Sequence, residues 1–110
     1  MSLRPIHRIQ RIEPDANLLG LSDEMKSFLL VLAQRRIHGL RGRYFALDDQ
    51  GRPMRPIFRR VVADALATRG LILLASSRPP TAPITHVRIT GEGAWVVRTL
   101  LRRQQQRAAA

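Results

Sequence analysis

Residues 56–70, PIFRRVVADALATRG, constrain the fold more than any other stretch of this chain. On a helical wheel one arc is apolar and the other is polar or small. The apolar arc holds Ile57, Phe58, Val61, Val62, Ala65 and Leu66, and the opposite arc holds Arg59, Arg60, Ala63, Asp64 and Ala67. Proline suits a first helical turn and glycine suits the left-handed position after a last turn. The stretch therefore predicts an amphipathic helix over residues 56–69.

The outer face of this predicted helix carries two adjacent arginines, Arg59 and Arg60. Guanidinium groups flanked by alanines can approach a polyanion closely and reach phosphates or guanine edges. The alternative is a solvated face, because charge on the outside is what any soluble helix shows.

The charge of the whole chain points the same way. The formal net charge is +11 at a sequence pI of about 11.9, and the basic residues extend from Arg4 to Arg107. Such a field attracts nucleic acid, acidic proteins or anionic lipid. Only Lys26 among the 19 basic residues is lysine, which is typical of a GC-rich genome, but that bias does not explain the shortage of acids.

Several classes of protein are disfavoured by what the sequence lacks. It has no cysteine, no signal-like apolar run at its start and no stretch of membrane-spanning length. His7, His38 and His86 are too far apart to suggest a metal site, and no hydrolase, phosphate-loop or zinc-protease motif occurs. We expect a cytoplasmic protein that is not an enzyme, binds no metal or cofactor and has no membrane partner.

Further elements follow from local signals. Ser22 predicts a helix cap and Asp23 and Glu24 a first turn, so a helix is expected from Asp23 to Ile37. Residues 43–47 predict a short strand, and the Asp48-Asp49 pair beside Gly51 predicts a turn in preference to catalytic acids. Residues 71–75 and 84–90 predict a hairpin, and residue 90 a cap for a last helix.

The two ends of the chain are interpreted separately from this domain. In residues 1–21 three isoleucines, Ile6, Ile9 and Ile12, recur between arginines, which favours packing on the domain or a partner over a basic arm in a groove. Residues 104–110 are expected to fray. The predicted division is an N-terminal segment (1–21), one domain (22–103) and a tail (104–110).

The order of elements resembles the winged-helix domain of bacterial transcription regulators. The resemblance rests on Arg69-Gly70-Leu71-Ile72, the hairpin after it, and the Ile89-Thr90-Gly91-Glu92-Gly93 helix start. It implies an α+β, mainly α fold with three or four helices and a two- or three-stranded antiparallel sheet. It also implies that residues 56–69 form the recognition helix and that the hairpin around Arg78 forms a wing. A helix should precede the recognition helix, but Gly51 and Pro53 lie there, so either that helix is a single degenerate turn or a loop or hairpin replaces it.

The favoured function is a DNA-binding protein, a transcriptional regulator whose phosphate contacts come from Arg55, Arg59, Arg60, Arg78 and Arg88. One alternative is a winged-helix module that docks on an acidic protein through Trp95 and the Ile6, Ile9 and Ile12 segment. A second is binding to RNA or the ribosome, although exposed aromatic stacking residues are not evident. Dimerisation on double-stranded DNA is compatible with the sequence but not fixed by it.

Overall fold

The architecture is a five-stranded antiparallel sheet with three helices, seen in a computed structural model that describes residues 20–77 and 84–109. The elements are α1 (Asp23–Gln34), β1 (Ile37–Leu40), β2 (Arg43–Leu47), β3 (Pro53–Arg59), α2 (Arg60–Thr68), β4 (Ile72–Ser76), β5 (Thr85–Ile89) and α3 (Gly91–Ala109). The strand order is β3-β2-β1-β5-β4. The expected mainly α fold with two or three strands is therefore wrong, because the described part of the chain has a large sheet. The division into residues 1–21, 22–103 and 104–110 stays a prediction.

Helix α1 begins where its cap was predicted. The Ser22 hydroxyl accepts a hydrogen bond from the Met25 backbone N–H at 3.2 Å, and Asp23 and Glu24 occupy the first turn. The helix ends at Gln34, three residues before the predicted end. Ile37 is fully buried in β1, where buried Ile37 and Gly39 alternate with half-buried neighbours. This alternation repeats every two residues, as in a strand. The prediction that the helix continues to Ile37 is therefore wrong.

Two tight turns connect the first three strands. Between β1 and β2, Arg41 and Gly42 both have positive φ angles, 53° and 78°, as in the type I′ turns that suit hairpins. Between β2 and β3, the Asp48 carboxylate accepts hydrogen bonds from the backbone N–H groups of Gln50 and Arg52 at 2.9 and 2.8 Å. The predicted strand at residues 43–47 and the Asp48 turn are confirmed.

The predicted helix over residues 56–69 is wrong in its first third. Residues 56–59 belong to the edge strand β3, and α2 begins only at Arg60. Phe45 pairs with Ile57 and Ala46 with Met54, so Arg55 and Pro56, joined by a cis peptide bond, lie in an irregularity of the ladder. An edge strand tolerates proline because one side of its backbone needs no partner. The helix end is confirmed, since Gly70 has a φ of 74°.

The helix wheel also misassigned two side chains of α2. Ala63, predicted on the outer face, is fully buried, whereas Val61, predicted on the inner face, is 60% exposed. Val62, Ala63 and Leu66 form the buried stripe of the nine-residue helix. Because α2 starts at Arg60, Ile57 and Phe58 are not part of its apolar arc. The buried stripe of the actual helix is therefore rotated about the helix axis relative to the predicted one.

All three helices share one face of the sheet. Helix α1 contacts α2, α3 and β5, and α2 contacts β2, β3 and β4. At the centre, the fully buried Phe28 ring packs edge-on against Tyr44 and Phe58, with ring centroids 6.1 and 5.0 Å apart. A Cβ on Gly39 would collide with the Tyr44 ring, so the glycine makes room for this aromatic group. The core is therefore a single layer between helices and sheet.

The hairpin and the last helix are joined through Thr90. Strands β4 and β5 pair over their full length, which confirms the predicted hairpin. The Thr90 hydroxyl donates to the Gly70 carbonyl at 2.7 Å and accepts from the Gly93 backbone N–H at 3.0 Å, which confirms Thr90 as the cap of α3. A Cβ on Gly93 would meet the Leu71 carbonyl oxygen, so glycine permits the close approach of α3 to this turn.

Replacing Thr90 tests the importance of this double hydrogen bond. The Thr90→Val substitution keeps the shape but leaves two backbone groups without their partner, so we expect a loss of about 1–2 kcal/mol in the free energy of unfolding. Thr90→Ser keeps both hydrogen bonds and should lose much less. Urea unfolding followed by circular dichroism compares the two variants, and equal stability would contradict the assigned role.

Candidate nucleic-acid interface

Four arginines from two separate stretches of the chain meet at one end of the sheet. Arg41 lies in the β1–β2 turn, Arg43 begins β2, Arg59 ends β3 and Arg60 begins α2. The pairing of β2 with β3 places Arg43 directly opposite Arg59. We call these four residues the arginine cluster. Like charges directly opposite one another destabilise a sheet, so this arrangement is not explained by folding alone.

Two members of the cluster, Arg41 and Arg60, line a groove of about 310 Å³. Its walls are the β1–β2 turn, the exposed side of α2 and the β4–β5 hairpin. The lining side chains include Arg41 from the turn, Arg60 and Asp64 from α2, and Ser76 and Thr85 from the hairpin. An exposed helix face and a hairpin thus lie on either side of a groove with arginines at its rim.

Two members of the cluster are paired with carboxylates on the surface. Arg59 binds Glu24 through two contacts, Nη2 to Oε1 at 2.6 Å and Nε to Oε2 at 3.2 Å. The Arg60 Nε lies 3.4 Å from Asp64 Oδ2. All four side chains are about half exposed or more, and exposed pairs contribute only about 0–1 kcal/mol, so a phosphate can replace either carboxylate. Arg41 and Arg43 form no ion pair with the described residues.

The five arginines predicted to bind DNA do not form one surface. Arg59 and Arg60 lie in the cluster, whereas Arg55 is exposed at the irregularity of the edge strand β3. Arg88 lies on the sheet face away from the helices, because its neighbours Val87 and Ile89 pack toward the core. Arg78 lies outside the described residues.

The predicted apolar interaction surface is only partly visible. Trp95 is half-buried on α3 and packs against the core, so little of its ring is available to a partner. Ile6, Ile9 and Ile12 lie outside the described residues.

The structure joins two histidines that the sequence separates by 48 positions. His38 and His86 are directly opposite on β1 and β5, and their rings meet edge to face with centroids 4.7 Å apart. The Ser77 hydroxyl lies 3.0 Å from His86 Nε2, whereas the buried His38 Nε2 has no hydrogen-bond partner among the described residues. Burial first, then the nearby His86 and Arg36, lower the pKa of His38 below its ordinary value of 6.5.

The roles of Arg41, Arg43 and the histidine pair were not predicted from the sequence. Asn-Gly, Asp-Gly and Gly-Gly are the dipeptides that predict such a turn, and Arg41-Gly42 is none of them, so the sequence gives only a weak signal for a hairpin here. Nothing in the sequence indicates that His38 and His86 are opposite one another, because the strands that carry them are not consecutive. Within residues 20–77 and 84–109, no three metal-ligating side chains come together.

Comparison with models of known protein families, with curated proteins and with solved structures finds no match to this chain. The resemblance to winged-helix regulators therefore stays a prediction. Among the helices that the structure describes, none is both long and apolar enough to cross a bilayer.

Arg41 in the β1–β2 turn is expected to lower the free energy of unfolding. Its left-handed backbone is unfavourable for an arginine by about 1–2 kcal/mol, whereas asparagine tolerates this region and suits type I′ turns. We expect Arg41→Asn to raise the free energy of unfolding by about 0.5–1 kcal/mol. Arg41→Ala, which removes the charge but keeps the strain, should give no gain. A stability gain in both variants, measured by urea unfolding, would show that charge repulsion and not strain is relieved.

Acidification should destabilise the fold through His38. Because its pKa is lowered in the folded protein, the unfolded chain binds more protons once the pH falls below 6.5, and the free energy of unfolding decreases there. The pKa of Asp48 is lowered too, mainly by the Arg52 backbone N–H, so its effect comes at more acidic pH. The His38→Phe variant should lose less stability than wild type between about pH 7.5 and 5.5. Equal losses in thermal melts would contradict this assignment.

Proposed function

We propose that this protein binds double-stranded DNA through the arginine cluster and acts as a transcriptional regulator. The observation that carries the proposal is that Arg41 and Arg60 line one groove, with Arg43 and Arg59 opposite one another at the same end of the sheet, in a chain of net charge +11. Arginine is well suited to phosphates because its planar guanidinium donates two parallel hydrogen bonds. The cost of a left-handed Arg41 supports a role for this side chain outside folding.

The shape of this end suits a duplex. A DNA major groove admits an α-helix or a two-stranded ribbon, and both lie beside the groove of the protein. The exposed side of α2 presents Arg60, Asp64 and Thr68, and Val61 offers an apolar group for a thymine methyl. The turn at Arg41 and the end of β3 then lie where the flanking phosphates would pass.

Base reading is expected to be limited. Three strands separate α1 from α2, so residues 20–77 contain no helix immediately before α2 and no helix-turn-helix. Helix α2 has only nine residues, and its first turn alone carries a basic side chain. Phosphate contacts therefore supply most of the proposed affinity, and sequence preference comes from the few side chains of α2 and from DNA shape.

Docking on an acidic protein is the alternative function, since it uses the same charge. Its predicted apolar anchor is weakened by the partial burial of Trp95. Poly-L-glutamate, which has the charge of an acidic protein without phosphates, separates the two functions as a competitor. Under the DNA proposal it should displace duplex much less effectively than unlabelled DNA does at equal charge.

The decisive measurement is binding of a labelled random duplex by fluorescence anisotropy at about 50 and 200 mM salt. The Arg41→Gln/Arg60→Gln variant should weaken binding and reduce the slope of log affinity against log salt by about 0.9 for each phosphate that it no longer neutralises. The matched control is Arg102→Gln/Arg103→Gln, which removes the same charge from the exposed end of α3. Its slope should stay close to wild type.

Three further outcomes of the binding measurement bear on the proposal. The Glu24→Gln/Asp64→Asn variant frees Arg59 and Arg60 from their carboxylates, so it should bind duplex more tightly. If the cluster variant and the α3 control weaken binding equally, binding depends on net charge and the cluster is not the site. If wild type binds no duplex at about 50 mM salt, the proposed function is wrong.

A further inference from the structure

The second face of the sheet carries a row of rings across its three central strands. Phe45 on β2 is directly opposite His38 on β1, which is directly opposite His86 on β5. Tyr44 and Ala46, the neighbours of Phe45, are buried toward the helices, so Phe45 lies on the other face. Ile57 and Ala75 extend the row to the two edge strands. We call Phe45, His38 and His86 the ring row.

This face is also cationic. None of the residues in the five described strands is Asp or Glu, whereas Arg43 and Arg88 lie on the same face, two residues along β2 and β5 from the ring row. The acidic side chains of the described residues lie in helices or in the β2–β3 turn, namely Asp23, Glu24, Asp48, Asp49, Asp64 and Glu92. A flat surface with rings at its centre and only positive charge beside them is complementary to a polyanion that carries flat apolar groups.

The geometry of the rings suggests which of them a ligand contacts. His86 is exposed and Phe45 half-buried, while the buried Nε2 of His38 shows that this ring is packed between its neighbours. The edge-to-face contact of His38 with His86 holds the exposed ring in place. Adjacent strands lie about 4.8 Å apart, so the row spans about 10 Å, enough for two unpaired bases.

We propose that this face binds single-stranded nucleic acid, with unpaired bases stacked on Phe45 and His86 and phosphates on Arg43 and Arg88. The inference goes beyond the proposed function, since it concerns the open face of the sheet, which shares only Arg43 with the arginine cluster, and a ligand whose bases are accessible. Paired bases in a duplex are stacked inside the helix and cannot lie flat on the ring row. The face therefore distinguishes single strands from duplexes by their exposed bases, whereas the arginine cluster binds the duplex backbone.

A second copy of this chain fits the same face poorly. Each copy has a net charge of +11, and face-to-face packing would bring Arg43 and Arg88 of one copy toward arginines of the other. Like charges across an interface oppose association, and no carboxylate in the described strands is available to pair with them. The exposed apolar side chains Ile57 and Leu73, 53% and 60% exposed, are at the edges of the face and not at its centre.

The test measures binding of oligo-dT, oligo-U and a duplex by the full chain, using fluorescence anisotropy and strands that contain 2-aminopurine, whose emission falls on stacking. The Phe45→Leu/His86→Leu variant keeps apolar area but removes both rings. It should bind both single strands about tenfold or more weakly, with duplex affinity unchanged. Phe45→Tyr/His86→Phe keeps the rings and should bind single strands within about threefold of wild type. Circular dichroism checks that both variants are folded.

Variants of the arginine cluster make this test independent of the proposed function. Arg41→Gln/Arg60→Gln should weaken duplex binding and leave the 2-aminopurine quenching of bound single strands unchanged. A comparison of oligo-dT with oligo-U shows whether DNA or RNA is the preferred strand. If the duplex is not bound but single strands are bound through the rings, the proposed function fails and this inference stands.

Three results would overturn the inference. Equal single-strand affinity of wild type and the Leu/Leu variant would show that the rings are not used. A dimer in sedimentation experiments that the Leu/Leu variant abolishes would assign the face to a second copy. Tight binding of poly-L-glutamate that depends on Phe45 and His86 would assign it to an acidic protein.

Discussion

The packing of Phe28 between helix and sheet determines much of what this protein presents to its surroundings. Its ring is fully buried and touches Tyr44 of β2 and Phe58 of β3 edge-on, which fixes α1 over the first half of the sheet. Glycine at position 39 leaves room for the Tyr44 ring beside it. Because α2 and α3 pack against the same layer, the core lies on one face of the sheet. The alternate residues of each strand lie on the other face, which none of the three described helices covers.

Because the core lies on one face of the sheet, the arginines of the strands lie on the other face or at the strand ends. Because successive strand residues point to opposite faces, burial of Tyr44, Phe58 and Val87 puts Arg43, Arg59 and Arg88 on the far side or at the strand ends. The acids are confined to helices and a turn, so the sheet keeps an unbalanced positive charge. Both proposed nucleic-acid surfaces follow from this separation: one at the sheet end beside α2, and one across the open face.

Local signals predicted local structure well. The Ser22 cap, the Asp48 turn, Gly70 and the Thr90 cap are all as expected, because each depends on hydrogen bonds or φ angles within a few residues. The prediction of a helix over residues 56–59 is wrong because Ile57 and Phe58 both fit the apolar arc of a helical wheel. In β3 they point to opposite faces, with Ile57 53% exposed and Phe58 3% exposed. The recognition-helix hypothesis depended on that reading, so Arg59 is instead a strand end bound to Glu24.

By itself, the sequence determined the positive charge, the cap and end of α1 to within three residues, the β4–β5 hairpin and the start of α3. It could not determine which distant residues meet. Arg43 faces Arg59 and His38 faces His86 only because β1 pairs with β2 on one side and with β5 on the other. This strand pairing forms because it buries one apolar face of five strands under three helices. It depends on many contacts between distant segments, which no local pattern in the sequence encodes.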